Sequence, residues 1–128
     1  MTKGKKKGAG PVATPLQAST HHDHVAVDTS WPELRDELFD ITDRGEFDAV
    51  LDTIDKVQKM TWDDVLKTST KDSRGKRGLN WEPIPGQEVG GKQVCSIRVT
   101  QRFRARVIRD GRFMRFISLH PDHDSAYR

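Results

Sequence analysis

Residues 93–118 read QVCSIRVTQRFRARVIRDGRFMRFIS and carry the clearest secondary-structure pattern in the chain. Apolar or small residues alternate with arginines on both sides of Asp110-Gly111, a dipeptide that tolerates the positive φ angles of a tight hairpin turn. Alternation of this kind indicates strands that have one buried face. The pattern predicts antiparallel strands over 93–99, 103–109 and 112–118.

The predicted hairpin separates an apolar face from a face of arginines. With a two-residue turn at Asp110-Gly111, Val107 lies opposite Met114, and Arg106 lies opposite Arg115. Because side chains alternate along a strand, one face carries Phe103, Ala105, Val107, Met114 and Phe116, and the other carries Arg104, Arg106 and Arg115. Like charges directly opposite one another repel, so a small protein with such an arginine face commonly binds a polyanion there.

Three helices are predicted ahead of the strands. Ser30 and Glu33 have the spacing of a capping box and mark the start of the first helix. Apolar residues at helical spacing predict a second helix over 47–59. Thr61 and Asp64 repeat the capping signature before a short third helix. Helices followed by consecutive strands are typical of an α+β fold, here with N-terminal helices packed on one face of a three- to four-stranded antiparallel sheet.

The chain has 128 residues, which is enough for one domain. Residues 1–28 are rich in lysine, glycine and small polar residues, and we predict a disordered tail there, ahead of a single domain at 29–128. Val25-Ala26-Val27 could open the fold as a short strand. No apolar run reaches the length of a membrane span, and the N-terminus lacks the apolar stretch of a signal peptide. We therefore expect a cytoplasmic protein with no membrane partner.

Charge is distributed unevenly along the chain. Residues 29–72 contain twelve acidic and six basic residues, whereas residues 73–128 contain twelve basic and five acidic ones. The two parts therefore carry formal charges of −6 and +7. Two such parts could simply attract each other, but the arginine face favours a polyanionic partner for the C-terminal half.

The second half of the chain resembles the RelE/ParE toxin superfamily. The resemblance rests on Gly78…Trp81-Glu82-Pro83…Gly86, Ser96-Ile97-Arg98-Val99, Phe103-Arg104-Ala105-Arg106-Val107 and the ending His120…His123…Tyr127. It covers roughly residues 47–128 and is greatest for YoeB-like and RelE-like mRNA interferases of bacterial toxin–antitoxin pairs. It implies paired helices behind a three- or four-stranded antiparallel sheet, with an active site on the open face. It also implies mRNA on the ribosome as substrate and a cognate antitoxin as partner.

The resemblance also implies which residues take part in catalysis. On the family's catalytic positions stand Glu82, Arg104, His123 and Tyr127, and Arg98 stands at another basic position. RNA cleavage by its own 2′-OH needs a base for the 2′ proton, cations around the phosphorane and an acid for the leaving oxygen. Glu82 would be the base, because Trp81 and Pro83 could desolvate its carboxylate. Alternatively, Glu82 is a surface carboxylate or pairs with Arg98 or Arg104.

The other candidate residues would bind phosphate, donate a proton or stack on a base. Arg104 and Arg106 could hold a phosphate by bidentate hydrogen bonds. His123 would be the acid, because histidine changes its charge near neutral pH, although it could be a loop-exposed histidine and His120 could take its part. Tyr127 could stack on an unpaired base. RNA binding is predicted for Arg98, Arg106, Arg115 and His120.

A metal site and two other functions remain as alternatives. His120, Asp122, His123 and Asp124, together with His21, His22 and His24, offer nitrogen and oxygen donors. The three N-terminal histidines fall in the predicted disordered tail, and no cysteine or ordered helix pair supports the set, so we predict neither a metal nor a cofactor. A ParE-like toxin would share the scaffold and poison DNA gyrase without being a nuclease. A non-catalytic module on the same fold would bind RNA or a protein partner and show no toxicity.

Overall fold

A computed structural model describes residues 20–68 and 78–122 of the chain. His123 and Tyr127 lie outside the described residues, as do positions 1–19. The described elements are β1 (Ala26–Asp28), α1 (Pro32–Asp40), α2 (Arg44–Gln58), α3 (Trp62–Leu66), β2 (Glu82–Val89), β3 (Lys92–Arg98), β4 (Arg104–Asp110) and β5 (Phe113–His120). The predicted α+β class is confirmed. The sheet, however, has five strands in the order β1-β5-β4-β3-β2 and is mixed, because β1 runs parallel to β5.

The helix starts agree with the sequence only in part. The capping box predicted at Ser30 is wrong: the Ser30 N–H donates to the Asp28 carboxylate at 3.0 Å, and Trp31 takes the N-cap position of α1. Helix α2 begins earlier than predicted, because Asp43 caps it by accepting the Glu46 N–H. The capping box between Thr61 and Asp64 is confirmed at the start of α3.

Strand β1 lies inside the stretch predicted as a disordered tail. Its residues pair with Phe113–Arg115 of β5, and Val25 just ahead of it is 3% exposed in the core. Residues 20–28 therefore belong to the fold, and the boundary predicted at residue 29 falls too late in the chain. The short strand suggested by Val25-Ala26-Val27 is confirmed. Its stability comes from pairing with a strand that is distant in sequence, which local composition does not reveal.

The β4–β5 hairpin has a different register from the predicted one. Asp110 pairs with Phe113, so that Gly111 and Arg112 form the turn, with Gly111 at a φ of 63°. Glycine adopts this left-handed conformation at no steric cost, which favours the turn one residue further along. Arg115 consequently faces Ile108 instead of Arg106. The shift of pairing by two residues leaves the alternation of the two faces unchanged.

A β-bulge resets the alternation near the end of β5. Arg106 pairs with Ser118 while Val107 pairs with Phe116, so Ile117 is an extra residue on β5. The strand also continues to His120, two residues beyond its predicted end. Without the bulge, simple alternation from the buried Phe116 would turn Leu119 away from the core. With it, Leu119 packs in the core at 6% exposure.

The apolar residues form two clusters, one on each face of the sheet. The larger lies between the helices and the sheet and includes Trp62, which is fully buried and meets Trp81 edge-on at 5.5 Å between ring centroids. The smaller lies on the opposite face and contains Ile84, Val94 and Ile108. It covers the end of that face near the β4–β5 turn, which leaves the other end to polar side chains.

Candidate active site on the face opposite the helices

Two rows of polar side chains cross the end of the sheet that the smaller apolar cluster does not cover. The first row contains one residue from each of four strands: Glu82, Ser96, Arg106 and Ser118. The second row lies beside it and contains Arg98, Arg104 and His120. These seven residues are called the polar site below. Neighbouring strands lie about 4.8 Å apart, so β2 and β5 are separated by about 14 Å across the whole site.

Strand alternation explains most of the polar site, and the bulge explains the rest. In β4, Ala105 and Val107 are fully buried on the helix side, so Arg104 and Arg106 project to the other side. On β5, alternation from Phe116 would send Ser118 and His120 into the core. The extra residue Ile117 instead turns both toward the arginines.

Arg104 is held in place by the protein itself. It is 7% exposed, and its Nη1 donates to the carbonyl oxygen of Thr100 at 3.5 Å in the β3–β4 connection. Its register neighbours are Arg98 on one side and His120 on the other. The adjacent guanidinium groups of Arg98 and Arg104 favour an anion, and a guanidinium whose position is already fixed loses little entropy on binding one.

His120 is a neutral imidazole at pH 7. Burial lowers its pKa from 6.5 to about 4, and the nearby charge of Arg106 acts in the same direction. Its Nε2 lies 2.7 Å from the Ser118 hydroxyl, and the tautomer decides which of the two donates. The low pKa therefore disfavours the imidazolium form that the alternative acid role of His120 needs at neutral pH.

Glu37 on α1 supports the end of β5, and the sequence analysis did not identify it. Its Oε1 accepts the backbone N–H of Leu119 at 2.7 Å. β1 pairs with β5 only as far as Arg115, so this carboxylate replaces a neighbouring strand beyond that point. Burial raises the pKa of Glu37, while the Leu119 hydrogen bond and the charge of Arg106 oppose the rise. In the sequence Glu37 looks like any acidic residue on a solvated helix, so no local signal points to it.

Ser96 and Ser118 were also absent from the predicted site. Ser96 is 1% exposed and lies between Glu82 and Arg106 in register. A serine in the middle of an otherwise apolar strand was a possible signal, because buried hydroxyl groups need hydrogen-bond partners. Ser118 could not be assigned to the polar face from the sequence, because simple alternation along β5 without the bulge puts it on the core side.

Arg115, predicted to bind RNA opposite Arg106, lies outside the polar site. Its guanidinium bonds the Asp28 carboxylate at 2.6 Å and the Asp110 carboxylate at 3.2 Å, and it lies 4.9 Å from the centre of the Phe113 ring. These contacts join β1 to the β4–β5 hairpin. They account for an arginine at this position on structural grounds.

The remaining candidates divide into those the structure describes and those it does not. Glu82 and Arg98 lie in the polar site, whereas His123 and Tyr127 fall outside the described residues and keep their predicted roles as predictions. Within 20–68 and 78–122, no group of three or more histidine, cysteine, aspartate or glutamate side chains is placed to hold a metal ion. Cys95 is buried, and burial raises the pKa of its thiol to about 12. No helix in the described ranges is long and apolar enough to cross a membrane.

Comparisons with protein families, with curated proteins and with solved structures found no match for this chain.

Proposed function

We propose that this protein is an endoribonuclease toxin that cleaves mRNA on the ribosome and is neutralised by a cognate antitoxin. The observation that carries the proposal is the polar site, where arginines lie between a carboxylate on β2 and an imidazole on β5. The RelE/ParE resemblance of the sequence supports the same activity. It implies an active site on the face of the sheet opposite the helices.

Cleavage by the 2′-OH of the RNA suits these groups. The two β4 arginines, Arg104 and Arg106, would bind the scissile phosphate and stabilise the charge that builds up on its oxygens. Glu82 and His120 lie on opposite sides of these two arginines. Glu82 is on β2, two strands from β4, and His120 is on β5, the strand next to β4. Attack and departure occur on opposite sides of the phosphorus, so groups that transfer protons are needed on both sides.

The proposed antitoxin would bind through charge as well as shape. The C-terminal part of the chain has an excess of basic residues, and the arginines of the polar site are grouped on one face. An acidic segment laid across that face would block the phosphate site, and attraction between opposite charges would speed its association. Co-expression with the product of an adjacent small reading frame should yield a stable complex in which this protein no longer inhibits growth.

The test is a short induction followed by mapping of RNA 3′ ends, with matched arginine variants. Wild type should produce cuts in phase with codons, and Arg104→Ala should lower cleavage by about 100-fold or more through loss of phosphorane stabilisation. Arg112→Ala is the control, because Arg112 is an exposed arginine of the β4–β5 turn. Since Arg104 is buried, a thermal melt must accompany the assay, and the half-buried Arg106→Ala provides a second variant.

Three outcomes would contradict the proposal or its site. Intact transcripts together with a DNA-damage response would favour a gyrase poison. Absence of any growth inhibition would favour a binding module without catalysis. Full toxicity of both Arg104→Ala and Arg106→Ala would show that the active site lies elsewhere.

A further inference from the structure

We propose that His120 is the general base that removes the 2′-OH proton during RNA cleavage. This inference rests on the function proposed above and changes one of its assignments, since the resemblance gives the base role to Glu82. It also differs from the sequence-based alternative in which His120 is the acid.

The position of His120 fits a group that acts beside a bound phosphate. It pairs directly with Arg104 across the β4–β5 ladder and lies diagonally from Arg106. Opposite residues on a sheet have Cβ atoms about 5 Å apart, so a phosphate bound by either arginine would lie next to the imidazole. The bulge at Ile117 is what turns the ring toward this side.

Ser118 contacts one of the two nitrogens of the His120 ring. Its Oγ lies 2.7 Å from His120 Nε2, and a hydroxyl oxygen can accept a hydrogen bond from Nε2–H. In that tautomer Nδ1 carries the lone pair and can take a proton. A hydrogen bond to one nitrogen commonly fixes the orientation and the basicity of the other.

Burial and the nearby arginine charge favour the neutral His120 ring before RNA binds. Burial is the larger cause, the charge of Arg106 acts in the same direction, and Arg104 lies directly opposite on β4. The Glu37 carboxylate, bound to the neighbouring Leu119 N–H, would act in the opposite direction. With a pKa of about 4, roughly one ring in a thousand would hold a proton at pH 7. A bound phosphate would offset the arginine charge and make the imidazole more basic when the substrate is present.

The proposed step is balanced in atoms and charge. The O2′–H bond breaks and its proton moves to Nδ1 of His120, while O2′ forms a bond to phosphorus. The P–O5′ bond then breaks, and the leaving O5′ takes a proton from an acid or from water. The products are a 2′,3′-cyclic phosphate and a 5′-hydroxyl, and the imidazolium returns its proton to solvent. The imidazolium formed in this step lies beside the negative phosphorane, which stabilises both charges.

The experiment measures single-turnover cleavage of mRNA on ribosomes from pH 6 to 8.5, together with an NMR titration of the His120 ring in the full chain. His120→Gln should lower the rate constant by about 100-fold or more, because glutamine can replace the hydrogen bond but not the base. The wild-type rate should stay level or rise across this range, and the NMR midpoint should lie below 6. His24→Gln is the matched control, since His24 is exposed and distant from the polar site.

Several results would overturn the assignment. One is an active wild type whose His120→Gln variant keeps a rate within threefold of it. Another is a rate that falls tenfold per pH unit above 7 with an NMR midpoint near 7, since this would make His120 an acid. If Glu82→Gln removed cleavage while His120→Gln kept it, the base would be Glu82. If wild type leaves RNA intact on and off the ribosome, the proposed function fails and this role fails with it.

A second variant keeps the role of His120 testable if the His120→Gln protein does not fold. If a thermal melt shows that His120→Gln is unfolded, Ser118→Ala removes only the orienting hydroxyl from a half-buried position. It should lower the rate about 10-fold and shift the NMR midpoint of His120. An unchanged rate and an unchanged midpoint in a folded Ser118→Ala protein would count against the assignment.

Discussion

Arg115 shows how two arginines on one sheet face can have different roles. Its guanidinium is bound to the Asp28 and Asp110 carboxylates, and both sides of the Asp28 contact are half-buried. Arg115→Gln should therefore lower the free energy of unfolding by about 1 kcal/mol and leave RNA cleavage unchanged. Urea unfolding and the cleavage assay on the same preparation check both parts. A folded Arg115→Gln protein that has lost cleavage would place Arg115 in the active site after all.

The Asp28 carboxylate gives this ion pair a definite pH dependence. Hydrogen bonds from Ser30 and Arg115 hold the pKa of Asp28 below its usual value of 3.8. A carboxylate whose folded pKa is depressed adds stability above its unfolded pKa, and that stability is lost as the pH falls through the lower folded value. The stability difference between wild type and Arg115→Gln should therefore be constant near neutral pH and shrink below about pH 4.

At the level of elements, α1 and β5 are joined by the hydrogen bond between Glu37 and Leu119. Glu37→Ala should lower the free energy of unfolding by about 1–2 kcal/mol, because it leaves the Leu119 N–H without this acceptor in a half-buried position. Glu37→Gln keeps an acceptor oxygen. Because burial raises the pKa of Glu37, the charged form is disfavoured in the fold, and Gln should match or exceed the stability of wild type at pH 7.

The two Glu37 variants also connect this element contact to the site. If Glu37 positions the end of β5, Glu37→Ala should lower cleavage while Glu37→Gln largely restores it. Thermal melts at pH 7 and cleavage rates of both variants are the measurements. Equal losses of activity in the two variants would indicate that the negative charge beside Arg106 matters more than the hydrogen bond.

At the level of the whole molecule, the N-terminal boundary can be tested with nested truncations. Removing residues 1–19 should leave the melting temperature and cleavage unchanged, because their composition offers little apolar area to bury. Removing residues 1–28 should unfold the domain or lower its melting temperature sharply. That deletion removes β1 and Val25, and with them the Thr20 hydroxyl that accepts a 2.6 Å hydrogen bond from Arg109. A stable, active 29–128 fragment would contradict this view of the fold.

The C-terminal end provides the complementary test. Ending the chain before Asp122 should abolish cleavage and cost little stability, because Tyr127 is the only large apolar residue removed. The predicted roles of His123 and Tyr127 depend on this result. A truncated protein that remains folded and toxic would exclude both residues from catalysis. An unfolded one would assign them a structural role.

Local sequence determined the three helices and three of the strands, but not β2, and it determined much of the composition of the two sheet faces. The alternation of arginine with Ala105 and Val107 gave β4 its buried and polar sides, and that assignment survived a register error because the pairing moved by two residues. The Thr61–Asp64 box fixed the start of α3 in the same way. These features depend on residues a few positions apart, whose interactions are similar in any fold.

Only the tertiary structure decided how these elements form a site. The bulge at Ile117 turned His120 toward Arg104, the pairing of β1 with β5 brought residues 20–28 into the fold, and Glu37 reached the end of β5 from α1. The neutral state of His120 likewise follows from burial and from Arg106 on a neighbouring strand. Each of these features depends on contacts between segments that are distant in sequence. The packing of the fold sets the geometry of such contacts, so the local sequence pattern does not predict them.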